Sequence, residues 1–199
     1  MFSTWLKKRA LKKLLDPSYT FLFDDYKGDE VVVFDTETTG LNPKQDALLS
    51  IGAVIVKNNK IITSQTFECY FKYEGILQSD NVTIHNIRPI DIENGFEHKE
   101  GLAEFLRFIK NRHLVGYYLD FDIQMIDKYL KPWLGITLPH KKIEVSELYL
   151  KQQTALVAQG NIDLRFDTIL HNLKIPNLGK HNAVNDAIMT AMMYLKLKG

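Results

Sequence analysis

Between residues 31 and 41 the chain reads Val31-Val32-Val33-Phe34-Asp35-Thr36-Glu37-Thr38-Thr39-Gly40-Leu41. The apolar, β-branched run Val31 to Phe34 predicts a central strand buried on both faces, as in a sheet covered by helices. It ends abruptly in two acids. Side chains at i and i+2 share a face, so Asp35 and Glu37 converge at or just beyond the strand end. Two unpaired carboxylates at that spacing repel and raise each other's pKa, and a divalent cation removes the conflict. The same residues also fit a solvated loop closed by the Thr38-Thr39-Gly40 turn.

The rest of the chain supplies partners for that strand. Ser50 to Val56 reads as a second strand, Asn58-Asn59 as a turn and Lys60 to Phe71 as a third strand, together a hairpin. Gly101 to Lys110 carries Leu102, Phe105, Leu106 and Ile109 at helical spacing. Leu114 to Tyr118 is a short strand, Asp122 to Leu130 a helix followed by Pro132, and Ile143 to Val145 a fifth strand. Helical stretches follow at Ser146 to Gln159, Leu164 to Leu173 and Asn182 to Lys196. These elements predict an α/β fold with a mixed sheet and a helical C-terminal third.

Composition limits the class. The 199 residues are 45% hydrophobic and 25% charged, which excludes a disordered chain and fits one domain with an arm. The single cysteine, Cys69, rules out an intrachain disulfide and points to a reducing, cytoplasmic compartment. No apolar run approaches a membrane span, and the start MFSTWLKKRALKKLLD lacks a secretory signal's apolar core. Its apolar residues scatter around a helical wheel, so a helix packed on the body or on a partner is expected, not a membrane helix. Lys7, Lys8, Arg9, Lys12 and Lys13 fall in the first 15 residues, where there is no acid. The total of 25 basic against 24 acidic residues thus divides into a basic arm and a body of 20 against 24, net −4. We expect a basic, helical N-terminal arm over 1–28 and one domain over 29–199.

Two more acids stand at element starts. Asp122 follows Phe121 where a strand gives way to a helix; alone, it reads as a helix-capping acid. In Gly179-Lys180-His181-Asn182-Ala183-Val184-Asn185-Asp186-Ala187, His181 precedes a helix and Asp186 lies about one and a half turns later. An acid on that apolar helix is costly unless paired or metal-bound, although a capping His and a solvent-facing Asp fit as well.

Phe34 to Leu41 resembles the first motif of the DEDD exonuclease superfamily, and is similar to that of the DnaQ-like proofreading epsilon subunits of bacterial DNA polymerase III. Phe121-Asp122 resembles the second motif. His181, four intervening residues and Asp186 resemble the third motif of the histidine branch, DEDDh. Ile51-Gly52-Ala53 and Ile84-His85-Asn86-Ile87 are softer matches. The resemblance spans about residues 30 to 196. It implies an RNase H-like mixed five-stranded sheet flanked by helices.

It also implies a two-metal 3′–5′ exonuclease. Asp35, Glu37, Asp122 and Asp186 would hold two Mg²⁺ or Mn²⁺ ions. His181 would be the general base, a role an imidazole suits near neutral pH. Thr38, Gly40 and Leu41 would line the terminal nucleotide, with His85 a further contact. Tyr117-Tyr118 stands where many relatives have His-Asn; the rings could stack on bases or pack in the core. Asp120 is a decoy two residues before Asp122. The implied substrate is single-stranded or frayed DNA, with a replicative polymerase or a second copy as partner. An RNA-trimming exoribonuclease of the same superfamily and a non-catalytic nucleic-acid-binding or assembly module stay open as alternatives.

Overall fold

The computed structural model describes residues 4–75, 87–156 and 162–198. Five strands form one mixed sheet in the order β3-β2-β1-β4-β5. They are β1 (Val31–Thr38), β2 (Leu48–Lys57), β3 (Lys60–Tyr70), β4 (His113–Gly116) and β5 (Lys142–Glu144). β1 lies at the centre, antiparallel to β2 and parallel to β4. β2 and β3 form the expected hairpin. Asn58 and Asn59 turn it with φ of 49° and 60°, the left-handed pair that suits the twist of a two-residue hairpin.

Helices cover both faces. Val32 and Phe34 share a core with Leu102, Phe105, Leu106 and Ile109 of α3 (His98–Ile109) and with Ile123, Ile126 and Leu130 of α4 (Leu119–Leu134). Val31 and Val33 instead join Val145 and Tyr149 of α5 (Val145–Leu156), Ile169 and Leu170 of α6 (Phe166–Asn172), and Ala187, Met189, Ala191 and Met193 of α7 (Ala183–Leu197). The pleat therefore continues Asp35 and Glu37 onto the α7 side and Thr36 onto the α4 side. A short helix α2 (Pro89–Glu93) packs Ile92 on Leu49 and Ile87.

Several features differ from the sequence expectation: β4 stops at Gly116, α4 starts at Leu119, Val145 opens α5, and α2 is an added helix. β1 runs on to Thr38 because Asp35 to Thr38 keep their pairing with Gly52 to Leu48. Helix α4 passes through Pro132 to Leu134; buried Leu130 and Leu134 hold its last turn despite the missing proline N–H. After α1 (Thr4–Leu11), a 3-10 helix spans Pro17–Phe23, capped by Asp16, whose carboxylate accepts from the Ser18 N–H at 3.0 Å. Tyr19, Leu22 and Phe23 are buried in the α3/α4 core, and Tyr19 meets the Trp133 ring edge-on at 5.3 Å. The N-terminal segment is thus packed on the body. No described helix is long and apolar enough to cross a membrane.

Candidate active site

The end of β1 and the start of α7 meet because nothing separates them. Gly52 pairs with Asp35 across β1 and β2. A side chain there would stand 2.2 Å from the Val184 nitrogen and 2.2 Å from the Ala183 carbonyl carbon. Glycine alone lets the first turn of α7 sit directly on the sheet beside Asp35. Asn182 caps that turn, accepting the Asn185 N–H at 3.0 Å. Asp186, in the fourth position of the helix, then faces Asp35 and Glu37. One ligand atom from each of these three residues lies within 4.8 Å of the others.

Asp122 arrives from the opposite layer, also in the fourth position of its helix. It is buried, and its Oδ1 accepts from the Thr36 N–H at 3.1 Å and from the Thr36 Oγ1 at 2.5 Å. It stands outside the three-residue group, yet its charge acts on both Asp35 and Glu37. Asp120 turns outward, exposed and paired with Lys142 at 3.0 Å.

Four carboxylates at one strand end, largely out of water, are electrostatically frustrated. Burial, then the charges of Asp122, Asp186 and Glu37, push Asp35 well above the usual carboxylate range. Burial, then Asp186 and Asp122, push Glu37 up to about 8. Burial raises Asp122 against the lowering effect of the Thr36 hydrogen bonds, and raises Asp186 against the His181 N–H that it accepts at 2.9 Å. The other oxygen of Asp186 is buried with no hydrogen-bond partner among the described residues. An all-oxygen donor set with an orphaned buried oxygen and no basic side chain in the group fits a hard divalent cation.

Of the remaining expected residues, those described stand at the end of β1, in the loop after it, and just before α4 and α7. His181 is exposed in a left-handed turn, φ 63°, before α7. The Thr38 hydroxyl donates to the Gly40 carbonyl at 2.7 Å, and Leu41 is 87% exposed at the tip of the loop after β1. Tyr118 is 65% exposed, whereas Tyr117 is half-buried, donates to the Leu164 carbonyl at 2.9 Å and packs edge-on to Phe166. His85 lies outside the described residues.

Sequence reasoning passed over two supports. Thr36 sits between the two acids on the other face, a signal the pleat itself carries. The loop after β1 is held by Asp46, whose carboxylate accepts the Asn42 N–H at 2.7 Å and the Thr39 hydroxyl at 3.2 Å. No local pattern flags Asp46.

Comparisons with known proteins agree on one family. The RNase_T model, described as Exonuclease, matches residues 32–194. The chain is 32% identical over 168 residues to a DNA polymerase III PolC-type protein of Caldanaerobacter subterraneus, covering 84% of this chain but only 11% of that protein. It is 28% identical over 174 residues to the DNA polymerase III subunit epsilon of Rickettsia felis, covering 84% and 73%. Among solved structures, cell-death related nuclease 4 superposes with a TM-score of 0.72 at 15% identity, covering 86% of this chain and 64% of that one. E. coli exonuclease I in complex with a dT13 oligonucleotide gives 0.67 at 17% identity, covering 85% and 41%; these two likenesses concern the fold. The match at 32–194 takes in α4, nearly all of β1, most of α7 and the acids Asp35, Glu37, Asp122 and Asp186, and on that ground the chain belongs to the exonuclease family.

Proposed function

We propose that the protein is a metal-dependent 3′–5′ exonuclease that shortens single-stranded or frayed DNA and releases nucleoside 5′-monophosphates. One observation carries the reading: Asp35, Glu37 and Asp186 come within 4.8 Å inside the matched exonuclease span, with a buried oxygen that no described protein donor satisfies. Asp35, Glu37, Asp122 and Asp186 would hold two ions, Mg²⁺ or Mn²⁺. Bound there, the ions would supply positive charge to the scissile phosphate.

The chain's own residues orient the reactants. A ring nitrogen of His181 takes the proton of the attacking water. The water oxygen bonds to phosphorus, the bond to the 3′ oxygen breaks, and that oxygen takes a proton from solvent, so the shortened strand keeps a 3′-hydroxyl. Thr38, Gly40 and Leu41 receive the terminal nucleotide. Tyr118 offers its exposed ring to a base, backed by Tyr117 at 5.0 Å. The polymerase names of the PolC-type and epsilon relatives support a proofreading role beside a replicative polymerase.

Matched DNA and RNA oligonucleotides, labelled at the 5′ end, test the reading with Mg²⁺, Mn²⁺ or EDTA. Stepwise 3′ shortening in metal, none in EDTA, and faster loss of DNA are expected. Faster loss of RNA would move the substrate class. A folded protein that releases no mononucleotide with either metal would contradict the enzyme reading.

A further inference from the structure

Helix α4 lacks a cap of its own. Its N-cap residue, Tyr118, makes no side-chain capping bond and has left-handed backbone with φ 54° and ψ 33°. A bulky residue is disfavoured there, and the first N–H groups of a helix need acceptors. The acceptor comes from another element. Glu144, the last residue of β5, accepts the Tyr118 N–H at 3.1 Å on Oε1 and the Leu119 N–H at 2.8 Å on Oε2. Its Oε1 also accepts the Ser146 N–H at 3.0 Å and the Ser146 hydroxyl at 2.8 Å. One carboxylate thus ties the start of α4 to the start of α5, beside the Gly116–Glu144 pairing of β4 and β5.

Much of the site hangs on α4. Asp122 is one turn into it. Further along, Lys128 donates to the Asp46 carbonyl at 2.7 Å, and Tyr129 accepts the Leu48 N–H at 3.4 Å. Both contacts hold the loop that carries Gly40 and Leu41. Displacing the first turn of α4 therefore moves a ligand candidate, the Tyr118 ring and the support of the nucleotide loop together.

We propose that Glu144 is a positioning residue for the exonuclease site: capping α4 from β5, it fixes Asp122 against the β1 acids and holds Tyr118 in the left-handed turn. The inference rests on the exonuclease reading above. The role requires a carboxylate. Four donors converge on two oxygens that only accept, and the position faces the positive end of α4. In Glu144→Gln one oxygen becomes an NH₂ group set against an N–H or a hydroxyl.

The test compares Glu144→Gln, Asp122→Asn and, as a charge control, Glu147→Gln on the exposed side of α5. Measured are kcat and KM on an oligonucleotide, Mn²⁺ binding by calorimetry without substrate, and amide exchange at residues 118–122. Glu144→Gln is expected to fold, to lose about tenfold or more in kcat and in Mn²⁺ affinity, and to exchange faster over 118–122. Glu147→Gln should match wild type. A folded Glu144→Gln with wild-type kcat and Mn²⁺ affinity, beside an inactive Asp122→Asn, would overturn the positioning role alone. Full activity in both would overturn the site reading. Should Glu144→Gln not fold, Glu144→Asp decides, since it keeps the charge but shortens the reach to the Tyr118 and Leu119 N–H groups. A smaller loss in both kcat and Mn²⁺ affinity supports the role, and wild-type values in both overturn it.

Discussion

Glu37 condenses the conflict at the centre of the site. It is 9% exposed and pushed up to about 8 by burial and by Asp186 and Asp122, against an ordinary 4.5. Without metal, the folded chain keeps a proton on Glu37 over a range where the unfolded chain has released it. Stability then falls as pH rises from about 5 to 8, by an amount on the order of a few kcal/mol. Glu37→Gln cannot ionise, so its thermal midpoint in EDTA should change less over that range, the remaining dependence coming from Asp35, Asp122 and Asp186, while its exonuclease rate drops about a hundredfold or more. Parallel melting curves at both pH values check this; equal pH dependence in variant and wild type would contradict it. At this scale the sequence was legible where chemistry follows the pleat. Spacing alone brought Asp35 and Glu37 to one face. It could not bring Asp122 to Thr36, because that contact crosses 86 residues and depends on the order of β1 and β4.

The decisive element is α7, and its placement depends on Gly52. Gly52→Ala drives a methyl group into the Ala183 and Val184 backbone at 2.2 Å, where no side-chain rotation can relieve the clash. The variant should lose about 1–3 kcal/mol in denaturant unfolding, and Asp186 should withdraw from Asp35 and Glu37. Activity should fall further than this stability loss explains, which assays well below the melting midpoint would reveal. Wild-type rates in a folded Gly52→Ala would show that α7 tolerates the shift. The hairpin, α3 and α7 were legible as elements, since Leu102, Phe105, Leu106 and Ile109 carry a clear helical period. The 3-10 helix was not, because Tyr19, Leu22 and Phe23 span little more than one turn behind Asp16-Pro17. Glu144 was equally silent, since a trans cap has no fixed sequence distance from the helix it serves.

Across the whole molecule, the N-terminal segment over 1–28 and the domain that follows it are joined by packing. Leu22 is 2% exposed within the core shared by β1, α3 and α4. Leu22→Ala should therefore cost about 2–4 kcal/mol in chemical unfolding, as for a core leucine; a loss near zero would mean the segment is not part of the fold's stability. Net charge said little about nucleic acid, because four of the acids are gathered at one strand end where cations can neutralise them. The central claim is that this cluster is an exonuclease site. Its most direct test is single-turnover release of the 3′-terminal nucleotide from single-stranded DNA in Mg²⁺, comparing wild type with Asp35→Asn after both are shown to be folded. The account predicts release by wild type and a rate about a hundredfold or more lower in Asp35→Asn. Equal rates in the two proteins would contradict it.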